Sequence, residues 1–236
     1  MMTKLCVLAL LAAGASGCAK TESSDLLTSG IYADLSARAT GTGTTTVSAT
    51  LYVGSPSNLN FVELTVDDQL IASYGSQTKA MTQTELGNIV SHTAEFSTDA
   101  EGAEFAIAFQ RTVDAGALAS TVTLPAKFTL AGGPASASRA AALALSWSPL
   151  ANADAMAWKA TGACIGDAQG AAANDPGTMT IPAGTLVKLQ GQNVADSCPV
   201  TITVTRAHAG VLDPHYGKGG TAMGSQDRTL TMMSTP

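Results

Sequence analysis

Aromatic residues are scarce in this 236-residue chain: five Phe, four Tyr and two Trp. A sugar-binding platform built from exposed rings therefore has little material to draw on. Charged residues make up only 13 %, and acidic residues outnumber basic ones by 18 to 12. With no basic run anywhere, nucleic acid is excluded as a partner, because phosphate binding needs a clustered positive face. The four cysteines, Cys6, Cys18, Cys164 and Cys198, are too far apart for a C-x-x-C pair. That spacing disfavours a thiolate metal site or a redox couple. After residue 17 no stretch approaches the roughly 20 apolar residues that a membrane-spanning helix requires. A nucleophile elbow, G-x-S-x-G, is missing too. Ser76-Gln77-Thr78-Lys79 has S-x-x-K spacing, but the S-D-N and K-T-G elements that accompany it in penicillin-binding enzymes do not follow. Gly217-Lys218-Gly219-Gly220-Thr221 lacks the earlier glycine and the Ser or Thr after Lys that a phosphate loop needs, so it predicts a flexible loop.

What the chain does have is small residues in alternation. Val47, Ala49, Leu51 and Val53 alternate with Ser48, Thr50 and Tyr52, and Val62, Leu64 and Val66 with Glu63 and Thr65. Phe105, Ile107 and Phe109, then Leu143, Leu145 and Trp147, then Val200, Ile202 and Val204, repeat the pattern. Period two over five or more residues marks half-buried strands. Helical spacing extends to no more than a turn or two around Thr82–Val90. The expected class is all-β, with Asp67-Asp68 as a turn and Gly, Pro, Asn and Asp between strands pointing to a sandwich or barrel.

Ala131–Ser138 (AGGPASAS) has no large apolar side chain and predicts a linker. It divides the chain into 26–130 and 139–236, each close to the ~100 residues of an immunoglobulin-type sandwich. The segment LALSWSPLANADAMAWKATGACI in the second half resembles the B and C strands of fibronectin type III and immunoglobulin-like domains. The first half has a comparable late hairpin in HTAEFSTDAEGAEFAIAFQR. The resemblance implies two tandem immunoglobulin-like antiparallel β-sandwich domains. Trp147 and Trp158 are then expected in the second core, and His92 as a packed or surface residue of a strand.

The N-terminus carries its own signature. Lys4, an apolar run from Leu5 to Ala13 and the small residues Gly14–Gly17 have the layout of a secretory signal peptide, 1–17. Ala15-Ser16-Gly17-Cys18 resembles the lipobox of bacterial lipoproteins, with Ala where Leu is usual. The resemblance implies cleavage before Cys18, acylation of that cysteine and a membrane anchor, with 18–25 as a lipidated tether. In lipoproteins an Asp directly after the cysteine favours the inner membrane, so with Ala19 there the resemblance implies the outer membrane. Ordinary signal cleavage is the alternative, since Ala15 and Gly17 suit it as well. The mature chain would keep 219 residues and, without Lys4, 18 acidic against 11 basic side chains, a balance of −7.

Three cysteines then remain, and an exported chain with an odd number needs an explanation for the leftover thiol. Acylating Cys18 and pairing Cys164 with Cys198 accounts for all three. Cys198 shares strand parity with Val200, and Cys164 with Trp158, so each thiol is expected on an apolar face, suited to a bridge between two packed sheets. Closing that loop is worth roughly 3–4 kcal/mol in the chain-entropy model.

Chemistry-bearing residues concentrate in RAHAGVLDPHYGKGG, Arg206–Gly220. His208, Asp213 and His215 are ligand-type residues within eight positions, the set a metal-dependent hydrolase would draw on. The competing expectation, which we adopt, is no metal, cofactor or catalytic residue, with His208 at a strand end and Asp213-Pro214 starting a turn. The expected role is a non-enzymatic envelope lipoprotein serving structure, adhesion or assembly, with an envelope protein or glycan as partner. A carbohydrate- or peptide-binding surface module is the alternative.

Overall fold

The computed structural model describes residues 20–55, 58–65, 67–87, 89–151 and 154–236. The expected signal peptide 1–17 and the expected acylation site Cys18 lie outside the described residues. Strand accounts for 59 % and helix for 3 %, which makes the protein all-β. In the first half the strands are β1 (Lys20–Glu22), β2 (Tyr32–Ala39), β3 (Thr45–Ser55), β4 (Asn58–Glu63), β5 (Gln69–Tyr74), β6 (Gln77–Ala80), β7 (Thr82–Leu86), β8 (Ile89–Phe96), β9 (Glu104–Gln110) and β10 (Ala117–Thr123). Then follow β11 (Thr129–Leu130), β12 (Ser136–Ser138), β13 (Leu143–Ser148), β14 (Ala155–Gly162), β15 (Ile165–Ala172), β16 (Thr178–Ile181), β17 (Cys198–Ala209) and β18 (Thr221–Thr235).

Alternation determines these strands. In β2, Ala33, Leu35, Ala37 and Ala39 are buried and the residues between them are exposed or half-buried. In β9, Phe105, Ile107 and Phe109 point inward while Ala106 and Gln110 face out. Period-two burial of this kind needs a second layer over each sheet. An eleven-stranded sheet runs β1-β4-β3-β2-β18-β17-β14-β15, with β8 and β12 attached to β3 and β18, and β7 attached to β8. The four-stranded sheet β10-β9-β5-β6 and the three-stranded sheet β11-β13-β16 complete a sandwich-like arrangement. Most pairings are antiparallel, but β1–β4, β18–β2 and β12–β18 are parallel, a departure from the purely antiparallel sheets expected.

Two apolar clusters form. One gathers Leu35, Leu51, Phe96, Phe105, Ile107 and Phe109; the other gathers Trp147, Met156, Trp158, Ile181, Ile202 and Val204. Both tryptophans are thus core residues. The antiparallel pair β17–β18 runs past both clusters: Thr221–Gln226 of β18 pairs with β2, and Cys198–Ala209 pairs with Ser234–Met223. Where β18 passes under β10, a Cβ at Gly224 would stand 1.9 Å from the Thr123 carbonyl oxygen, so only glycine lets the backbones approach.

The expected helical turns at Thr82–Val90 are replaced by the β7–β8 hairpin. Thr82, Thr84, Val90 and Thr93 favour extended backbone, and Leu86 and Ile89 are exposed rather than sharing a buried helical face. Within the expected tether, Lys20–Glu22 pairs in parallel with Phe61–Glu63 and Ser23–Asp25 forms a 3-10 turn. Arg111, with no exposed side-chain surface, fixes this segment. It donates to the carbonyl oxygens of Ser23 (2.5 Å) and Leu26 (2.9 Å) and to Thr28 Oγ1 (2.9 Å), and pairs with buried Asp68 at 3.2 Å.

Cys164 and Cys198 form a disulfide with Cα atoms 5.8 Å apart. It does not cross between sheets. Gly162 lies opposite Val200 on neighbouring strands, and the cysteines continue that register two residues further. The bridge therefore pins the β14–β15 turn to the start of β17 inside one sheet.

Candidate functional site

The inward row of β17 continues from Val200, Ile202 and Val204 to Arg206, whose side chain is completely buried and ion-paired with the equally buried Asp175. Arg206 also donates to the carbonyl oxygens of Ala126 (3.0 Å), Lys127 (3.1 Å) and Pro149 (2.6 Å), and it covers the Phe128 ring at 4.9 Å. Asp175 accepts further hydrogen bonds from Trp147 Nε1 (2.6 Å) and from the backbone N–H groups of Ala151 (2.9 Å) and Gly177 (3.0 Å). Burial pushes the Asp175 carboxyl up, but these donors and the guanidinium outweigh it and hold the group below its ordinary value. The network ties segment 126–127, between the two cores, to the second core. Its role is architectural.

Two residues further along the same row, His208 Nδ1 meets Asp154 Oδ1 at 2.8 Å. The pair opens on a cleft of about 360 Å³ lined by Glu101, Gly102 and Thr123–Ala126. Across the 210–220 loop a second pair forms, His215 Nδ1 to Asp213 Oδ1 at 2.7 Å. Burial raises the Asp213 carboxyl, and the bonds from the His215 backbone and ring and from Ala119 N–H (2.7 Å) reverse that, leaving it lowered. His215 borders a cavity of about 280 Å³ with Thr28, Ser29, Asp114, Ala115 and Pro214.

A carboxylate on Nδ1 orients an imidazole so that Nε2 faces outward, which is half of an acyl-transfer relay. The other half is a hydroxyl or thiol bonded to Nε2, and among the described residues neither histidine has one. Asp213 and His215 are brought together as their spacing allows, whereas His208 turns to Asp154 instead. No group of three or more His, Cys, Asp or Glu suited to a metal ion forms among the described residues.

Several residues escaped sequence reasoning. Parity could have flagged Arg206, since it falls on the row of Val200 and Val204. Asp154, Asp175 and Glu101 sit in loops with no periodic signal. Asp67-Asp68 does lie in a turn, with Asp68 N–H bonded to the Thr65 carbonyl oxygen at 3.0 Å, and the Asp68 side chain is in addition buried against Arg111. The Ser76–Lys79 segment spans the start of β6, where Lys79 Nζ is bonded to the Glu95 carbonyl oxygen at 2.6 Å. Gly217 of the glycine-rich loop donates its N–H to the Ile31 carbonyl oxygen at 2.8 Å. Tyr52, on the polar parity of β3, is half-buried and stacked on Tyr32 with ring centroids 5.6 Å apart.

Among the described residues, β15 presents an unpaired backbone edge. It pairs with β14 on one side; on the other, Gly166 N–H bonds to the Val187 carbonyl oxygen and Ile165 bridges Lys188. From Asp167 to Ala172 that outer side has no strand partner among the described residues. The side chains along it are Asp167, Ala168, Gln169, Gly170, Ala171 and Ala172, with Asp167 ion-paired to Lys159 at 3.0 Å. A groove of about 390 Å³ lies inward of this edge, across Gln169, Gly170 and Ala171 of β15, Trp158 of β14 and Thr205 of β17. No protein-family model matches the chain, and no curated protein matches it.

Proposed function

We propose that the chain is an exported envelope lipoprotein, acylated at Cys18 and held on the outer membrane, that acts without catalysis by joining another polypeptide. Its body consists of two immunoglobulin-like sandwich units braced by the shared β17–β18 ribbon; the two separate apolar clusters support that division. The observation that carries the reading is the open edge of β15.

Exposed edges are usually blunted by lysine, proline or bulges, because unpaired N–H and C=O groups recruit other strands. Here Asp167–Ala172 offers such a row with small side chains and one charge, itself neutralised by Lys159. An extended segment of a partner can add to the sheet by main-chain hydrogen bonds, with its side chains over the groove beside Trp158. Adhesion and assembly proteins work this way without needing a nucleophile, a metal or a cofactor.

A photo-crosslinking side chain at Gln169, tested in native envelopes, should trap one partner. The same group at Asp67, on an exposed turn, should not, and Ala171→Lys should abolish the product by placing a charge on the edge. Equal products from both positions, or an unchanged product in the lysine variant, would overturn the reading.

A further inference from the structure

The start of the described chain and the most exposed large apolar side chain are neighbours. Lys20 Nζ bonds Glu85 Oε1 at 2.6 Å and lies 4.0 Å from Glu63. The next residue after Glu85 is Leu86, 82 % exposed, and its cross-strand partner at the end of the hairpin is Ile89, 49 % exposed. Two large apolar side chains thus project from the β7–β8 hairpin beside the point where the chain enters the fold.

In sequence, Cys18 stands two residues ahead of Lys20. Two residues span at most about 7 Å. Lys20 has no freedom to extend that reach, because β1 is paired with β4 and Arg111 clamps the segment that follows. Resting on the reading of Cys18 as the acylated anchor, we infer that the Leu86–Ile89 hairpin end seats in the bilayer surface beside the lipid. The occupant of this apolar end is therefore lipid, at the boundary of headgroups and acyl chains.

The charges fit such a seat. Glu85, next to Leu86 in the chain, is paired with Lys20, so its carboxylate approaches the membrane with a counter-ion. Apolar side chains held next to a lipid anchor supply a second attachment, and anchoring by two signals is far more persistent than by one. The hairpin would also fix the orientation of the body, which a lipid on a slack linker cannot do.

The test uses the full-length acylated chain with Leu86→Cys, whose thiol is labelled with an environment-sensitive fluorophore. The protein is reconstituted in phosphatidylethanolamine–phosphatidylglycerol vesicles; a Gln169→Cys label is the reference. The expected result is a blue-shifted emission at 86 that lipids with nitroxides on their acyl chains quench, with the label at 169 neither shifted nor quenched. Vesicle-bound protein whose label at 86 matches that at 169 would overturn the inference while leaving the anchor intact. Protection at 86 from an aqueous quencher, without quenching by lipid nitroxides and rising with protein-to-lipid ratio, would assign the tip to a second copy and overturn it equally. Mass spectrometry of the N-terminal peptide separates these cases from failure of the anchor: an unacylated Cys18 would overturn the reading on which the inference rests.

Discussion

His92 is the residue most at odds with its surroundings. It lies in β8, 2 % exposed, and neither ring nitrogen has a hydrogen-bond partner. The side chain borders a cavity of about 170 Å³ together with Thr65, Asp68, Gln69 and Gln83. Burial pushes its pKa below the ordinary value. The unfolded chain takes up this proton below about pH 6.5 while the folded chain resists it. The stability at stake is intact above that pH and declines as pH falls from the unfolded pKa toward the lower folded one, by at most about 1.4 kcal/mol per pH unit. Between about pH 7.5 and 5.5 the melting temperature of His92→Met should fall less than that of the native chain; equal falls would refute the assignment. The sequence marks His92 as a strand residue, but the emptiness of its hydrogen-bonding shell depends on β5 and the loop before it, which no local pattern reports. Arg206 is the reverse case. Its row on β17 is legible, yet its partner Asp175 comes from a loop whose composition resembles any turn.

At the scale of elements, β15 depends on a glycine. A Cβ at Gly170 would stand 2.6 Å from Trp158 Nε1 on the neighbouring strand, and the indole is wedged in the second core. Gly170→Val should therefore cost about 1–3 kcal/mol through overpacking, read from urea denaturation followed by tryptophan fluorescence. A variant as stable as the native chain would mean that the indole has room to move. Strands with clear alternation, β3, β9, β13 and β17, were legible because one face of each is buried along most of its length. The hairpin β7–β8 was not. All five residues of β7 are exposed, so no buried face imposes alternation on it, and a short irregular apolar pattern fits a helix turn equally well. The disulfide was legible as a pair but not as a bridge within a sheet, since parity says which face a thiol takes and nothing about which strand lies next door.

For the whole molecule, the decisive element is β18, 15 residues long and shared by both cores. Its first residues pair with β2, and Met223–Ser234 pairs with β17, which carries Cys198 and Arg206. Sharing couples the cores, so loss of the Cys164–Cys198 crosslink should be felt throughout. Cys164→Ser with Cys198→Ser should lower stability by about 4 kcal/mol, the loop-closure value for this separation. Calorimetry should show a single transition moving to lower temperature. Two transitions, with one left in place, would show the cores to be independent.

The parallel pairing of β2 with β18 has a mechanical side. The six registered pairs run from Asp34–Thr221 to Ala39–Gln226, with both strands pointing the same way. Tension drawn on the leading end of β2 against the trailing end of β18 cannot peel these hydrogen bonds off singly. It loads them together, in shear, so a protein moored at one end and gripped at the other would resist being pulled apart.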